Sequence, residues 1–450
     1  MAMSSSGTIL LNAPSKVTQD KPAPQVKPAA KRAPRLALLD GLRFAAALLV
    51  VLYHYTAWHH GFWGTEEAKD SWPGLSRISV YGNMGVQLFF IISGFVILLS
   101  AYGKGAGRFI GSRVGRLYPA YWVAVLATGF LVIVMWPKMG AGLGLKEVLA
   151  NLTMFHPAMG LRHIDGVYWT LWVEMRFYLL ILVLIVLRLL TIRGMTILAA
   201  LWPVLGLAAN LMGRESADKM LMSEYAPLFC GGILLFLIYR FGHSIMRWSL
   251  LVLNVGIAAY FTGLNGPQEA MELVGYQIPA WHYWLIVSGL FAAVAVLSLT
   301  PLRKVQWKFL AVLGALTYPL YLLHQVWGWW MIDHLAPVLG KNVTLAVVIA
   351  TVLAAAFLVQ RFVERPLAKP LAAATTKGLD LVGVRLGLKA KPEAPVPRRR
   401  CPRPLHPRPR AAVQIPQTRN DRGRRPRCRP FLVRRRNQRR PATVCSSPAE

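Results

Sequence analysis

The sequence predicts an all-α, polytopic integral membrane protein with about ten transmembrane helices and both termini cytoplasmic. Three observations predict it. Apolar windows of spanning length recur through the middle of the chain, charged residues fall almost entirely between them, and the connections alternate between purely basic and acid-rich. A hydrocarbon core of about 30 Å takes about 20 helical residues, and only helices or closed barrels satisfy their backbone groups inside it.

Of 450 residues 55% are hydrophobic, yet the formal net charge is +32. Charge favours solvation and apolar content favours burial, so the two coexist only if they are segregated. Residues 1–35 carry +5, residues 36–370 carry +10 and residues 371–450 carry +17. This excludes an ordinary soluble enzyme and a disordered chain, and argues against nucleic-acid binding by the body. Three regions are expected: a basic cytoplasmic arm (1–35), disordered and without the apolar run of a signal peptide; a membrane domain (36–370); and an Arg/Pro-rich cytoplasmic tail (371–450), disordered and drawn to anionic lipid head groups. Cys230, Cys401, Cys428 and Cys445 show neither metal-ligand spacing nor a disulfide framework.

The spans follow in order. The first, 37–56, carries Asp40 and Arg43 near its start and His54 near its end. The second, 79–101, includes Ser93-Gly94, read as a close-packing pair rather than a nucleophile. The third is 117–136, and the fourth, 168–188, holds Glu174 and Arg176. The fifth (195–211), sixth (225–239) and seventh (248–264) are free of charged residues. The eighth, 280–300, opens on Trp281-His282-Tyr283-Trp284, which reads as an interfacial aromatic belt. The ninth, 309–332, contains His324, and the tenth is 342–362.

Orientation follows from the connections. Those at 102–116, 188–193, 240–247 and 301–308 hold eleven Lys and Arg and no acid, whereas the alternate set holds 8 basic and 11 acidic residues. The first set is therefore expected on the cytoplasmic side.

Ionisable groups inside spans are costly, so each is a functional candidate. Arg43 and His54 are eleven residues apart, which is three helical turns and roughly 16 Å of rise, so they share one face at different depths. His54 and His324 each fit either a hydrogen bond to a neighbouring helix or proton transfer. Glu174 needs a partner at its depth, and a layer containing His54, Glu174 and His324 is expected. Arg113 and Arg116, three residues apart, fit either anchoring at the cytoplasmic face or paired guanidinium groups for phosphate.

Six stretches in order carry a resemblance: Leu39-Asp40-Gly41-Leu42-Arg43 with His54; Phe89-Phe90-Ile91-Ile92-Ser93-Gly94-Phe95; Arg113 to Pro119; Trp169 to Glu174 with Phe177-Tyr178; Tyr318 to His324; and Val363-Glu364-Arg365-Pro366. Together they resemble the acyltransferase 3 family of integral membrane acyltransferases, in a form without an extracytoplasmic hydrolase-like domain. The resemblance implies a ten-helix enzyme of the bacterial inner membrane. It would move an acyl group, usually acetyl from acetyl-CoA, from the cytoplasm onto a hydroxyl of a cell-surface or exported carbohydrate such as an exopolysaccharide. By similarity His54 and Glu174 are catalytic, Arg43, Arg113 and Arg116 bind the acyl-CoA co-substrate, and Asp40, Tyr178 and His324 bind substrate or support. No metal is expected.

On that reading neutral His54 takes the proton of the acceptor hydroxyl, and Glu174 orients the imidazole or holds the sugar. The rival classes are a transporter or flippase for a glycan precursor and a non-catalytic scaffold. Outer-side aromatic residues such as Trp58, Trp63 and Trp72 fit sugar stacking and interfacial anchoring equally well.

Overall fold

The computed structural model describes residues 36–64 and 66–385, and every helix or strand assigned within them is a helix. In chain order these are α1 (Ala37–Thr56), α2 (Ala68–Ser71), α3 (Pro73–Ser79), α4 (Gly85–Ala101), α5 (Ala106–Phe130), α6 (Leu145–Asn151), α7 (Trp169–Val186), α8 (Ile192–Leu211), α9 (Glu215–Leu221), α10 (Ala226–Phe241), α11 (Ile245–Leu273), α12 (Ala280–Leu299), α13 (Lys308–Val359) and α14 (Arg365–Arg385). Short 3-10 and π turns extend several of them.

Among the described residues, 9 helical stretches are long and apolar enough to cross a membrane. The ninth stretch contains both the ninth and the tenth predicted spans. Gly340 has φ 72° and ψ 160° inside α13, a backbone conformation that favours glycine and breaks the helix between those two spans.

The helices depart from the predicted windows in three places. α5 begins at Ala106, so Arg113 and Arg116 stand on a helix and not in a connecting loop. α11 runs on to Leu273, past the polar residues that ended the apolar window, and so carries Glu269 to a cavity wall. Residues 371–385, placed by sequence in the disordered tail, belong to α14. The rest of the tail and the N-terminal arm lie outside the described residues.

The reason for α14 is a stripe of small residues. Gly107, Gly111 and Gly115 recur every fourth residue on one face of α5 and lie against Ala368, Ala372 and Thr376 of α14. A Cβ added at Gly111 would meet Thr376 Oγ1 and the carbonyl of Ala372, so the two backbones are in near contact. Small residues at this spacing let membrane helices approach closely. Gly94 of α4 and Gly232 of α10 make a second backbone contact, and there glycine lets α10 lie directly on the helix that carries Ser93.

α1 lies along α13, and α4 lies along α10, with α8, α11 and α12 packed outside α10. Large apolar side chains such as Ile197, Leu201, Val252 and Leu285 are exposed on those outer helices, the surface that lipid covers. The segment between α5 and α7 folds back on the bundle. Buried Asn151 donates to the carbonyls of Glu147 (2.8 Å) and Arg162 (3.0 Å). Buried Asp165 accepts from the backbone N–H of Val167 (3.2 Å) and of Val326 in α13 (3.4 Å), which fixes where α7 begins.

Candidate active site

His54 occupies the last turn of α1 and is buried. Its Nδ1 lies 2.9 Å from the Val50 carbonyl and 3.2 Å from Nε2 of His324. His324, fully buried on α13, has its own Nδ1 2.8 Å from the Tyr321 carbonyl. A carbonyl only accepts, so both Nδ1 atoms carry the hydrogen when the rings are neutral. His324 Nε2 then accepts from His54 Nδ1–H, and Nε2 of His54 is left as the basic nitrogen.

The surroundings hold this pair in place. The His54 carbonyl accepts from Trp329 Nε1–H (2.9 Å) and His60 Nε2–H (3.1 Å). Tyr55 donates to the His324 carbonyl at 2.7 Å; its ring lies against Gly328, where any side chain would collide with it. Trp58 stacks on the His54 ring at 5.2 Å and 21°. His60, in the connection after α1, is held by burial at a pKa of about 4 and is therefore neutral at physiological pH.

Two cavities meet beside the pair. The larger, about 520 Å³, is lined by His54, Trp58, Trp169, Trp329 and the carboxylates of Glu224 and Glu269. The smaller, about 50 Å³, is lined by Arg43, Ser93, Thr170, Glu174 and Tyr318. Val86 and Tyr321 line both. Tyr321 is fixed at that boundary by donating to the Val167 carbonyl (3.2 Å) and by a 2.8 Å bond to the Thr170 hydroxyl.

The predicted residues therefore separate into two groups. His54 and His324 touch. Glu174 does not join them: it accepts from Ser93 Oγ–H at 2.8 Å and faces the smaller cavity with Arg43. The expected layer of three is thus a pair plus a neighbour, and the partner of the His54 imidazole is His324.

Of the predicted arginines, Arg43 lines the smaller cavity. Arg43 has a buried Nε without a hydrogen-bond partner. Arg113 donates to Ser100 at 3.2 Å and lies 5.7 Å over the Tyr178 ring. Arg116 pairs with Glu364, which sits in a π-helical turn, and lies 5.6 Å over the Tyr318 ring. Arg43 and Arg113 are each within electrostatic range of Arg116. Asp40, in the first turn of α1, packs against Gly314 of α13.

A family model described as an acyltransferase domain (Acyl_transf_3) matches residues 36–361. The chain belongs to the acyltransferase 3 family. It is 32% identical over 102 residues to Acyltransferase MdmB of Streptomyces mycarofaciens, covering 22% of this chain and 25% of that one. It is 39% identical over 98 residues to Protein 2 in the picA locus of Rhizobium radiobacter, covering 20% and 42%. The matched stretches thus span a quarter and about two-fifths of these relatives. No solved structure matches the chain.

As an acyltransferase 3 family member with many apolar helices, the chain is a multi-pass integral membrane protein. The sequence pointed to the family motifs but not to all the groups that build the site. Ser93 as the partner of Glu174, Glu364 as the partner of Arg116, and Glu224 and Glu269 on the cavity wall all went unassigned. Each of these depends on helices far apart in sequence. The sequence signal for Glu224 is that it adjoins an apolar run without belonging to it.

Proposed function

We propose that this protein is a membrane O-acyltransferase in which His54 is the general base and His324 positions it. The observation that carries the reading is the hydrogen-bonded His54–His324 pair, with His54 on the wall of a cavity that abuts a slot lined by Arg43. The donor is an acyl-CoA, most simply acetyl-CoA, approaching from the cytoplasm. The acceptor is a hydroxyl of a cell-surface or exported carbohydrate in the larger cavity.

Arg43, Arg113 and Arg116 fit the donor by chemistry: guanidinium groups pair with phosphate, and Arg43 has an unused buried donor. The thioester would occupy the slot between Arg43 and Tyr321, with Glu174 held by Ser93 at its side. His54 Nε2 accepts the hydroxyl proton as that oxygen attacks the thioester carbonyl. His324 Nε2 accepts the His54 Nδ1–H hydrogen bond and so stabilises the imidazolium that forms, the part a carboxylate plays in a triad. The carbon–sulfur bond then breaks, and the thiolate takes the proton back from His54 Nε2.

The setting is a bacterial inner membrane with the basic connections inside and the larger cavity facing outward. The test is ester content of surface glycans by mass spectrometry in a deletion strain carrying wild type or His54→Ala. Restoration by wild type and not by His54→Ala supports the reading. Full restoration by both overturns it, and restored glycan export without any ester points to a transporter.

A further inference from the structure

Besides Arg162 and His163, the larger cavity is lined by Glu224, Glu269, Asn83 and Gln87, four side chains that carry hydrogen-bond acceptors. Glu224 and Glu269 both line it and lie within electrostatic range of each other. Among the described residues neither carboxylate has a Lys, Arg or His within ion-pair distance. The two amides add to this. Asn83 Oδ1 and Gln87 Oε1 are shielded from solvent and have no hydrogen-bond partner. The Asn83 side chain bonds Glu269, and a carboxylate only accepts, so its Nδ2 is spent there and Oδ1 is left unpaired.

Unpaired buried acceptors cost about 1–3 kcal/mol each, and adjacent carboxylates without a cation cost more. A ligand with a positive charge relieves the second of these costs. Trp58, Trp169 and Trp329 complete the walls, and aromatic faces favour a cation over a carboxylate. We infer that the acceptor substrate carries a protonated amine, as an amino sugar does, seated against Glu224 and Glu269 while its hydroxyl reaches His54. This rests on the acyl-transfer reading of the same cavity and adds the chemical class of the acceptor.

The experiment is binding of glucosamine, glucose and N-acetylglucosamine to the purified full-length protein in detergent, read by quenching of tryptophan fluorescence. These probes differ only at the 2-position. Glucosamine is expected to bind at least tenfold more tightly than the other two, and Glu224→Gln and Glu269→Gln are expected to shrink that preference to less than threefold. The wild-type comparison stands even if a variant fails to fold. The same affinity for all three sugars, or no binding by any, overturns the amine proposal. It leaves the His54 reading untouched, since that is decided by ester formation in cells.

Discussion

At the scale of single residues, the reactivity of His54 is set by what its other nitrogen does. Val50 and His324 both lie at Nδ1, so the proton is held on that side and the lone pair is kept at Nε2. Replacing His324 with Ala removes one of those acceptors, leaves the Val50 carbonyl as the other, and takes away the imidazole that stabilises the imidazolium. His54→Ala is expected to lower the acyl-transfer rate about 10²-fold or more, in the range of a general base. His324→Ala is expected to approach that loss, and the double variant to be no worse than His54→Ala alone, because the pair acts as a unit. Initial rates of acyl-CoA consumption by purified protein decide it, and additive losses would break the pairing. Arg43 and His54 were legible in the sequence because they share one helix face. The contact of His54 with His324 was not, since it joins residues 270 positions apart.

At the scale of elements, the spans were legible because composition alone marks an apolar helix, whereas their contacts depend on small residues. The Gly107, Gly111 and Gly115 stripe is readable as spaced glycines, but its partner on α14 looked like part of a polar tail. Gly111→Val is expected to push α14 away, strain the Arg116–Glu364 pair one turn along, and cost about 1–3 kcal/mol or more, the usual penalty for overpacking. The check is the thermal midpoint of the protein in detergent, with Gly289→Val on an exposed, open face of α12 as the control for residue type.

The connecting segments make a separate prediction about pH. Burial lowers His60 to about 4 and His156 to about 4, and raises Asp165 to about 7. The two histidines contribute stability that is present above about 6.5 and lost as pH falls towards 4; Asp165 works the other way, losing stability as pH rises from about 4 to 7. The two signs are separable by substitution: His60→Ala is expected to reduce the loss of thermal midpoint between pH 6.5 and 4. Asp165→Asn removes the opposing contribution and is expected to steepen the fall. An Asp165→Asn profile parallel to that of the wild type would show that Asp165 is not buried neutral in solution.

At the scale of the whole molecule, two chemistries occupy opposite ends of one bundle. Arginines that suit a phosphate-bearing donor lie at the end where α4 turns into α5, and the acceptor-rich cavity lies at the end where α1 finishes. The slot and cavity meet at Val86 and Tyr321, so neither substrate has to cross the full thickness for their reacting atoms to meet. That arrangement works only in one orientation, because an acyl-CoA is made in the cytoplasm and the proposed acceptor is used outside. The absence of any acid among the basic residues of 102–116, 188–193, 240–247 and 301–308 favours the same orientation. The expectation can be tested without knowing either substrate. With Cys230, Cys401, Cys428 and Cys445 replaced by serine, Met159→Cys in an exposed turn near the larger cavity should react with a membrane-impermeant maleimide in intact spheroplasts. Lys104→Cys at the arginine end should react only after the membrane is opened. The opposite pattern would put the arginines outside, where no acyl-CoA is available, and would remove the donor role from Arg43, Arg113 and Arg116 whatever the His54 variants do.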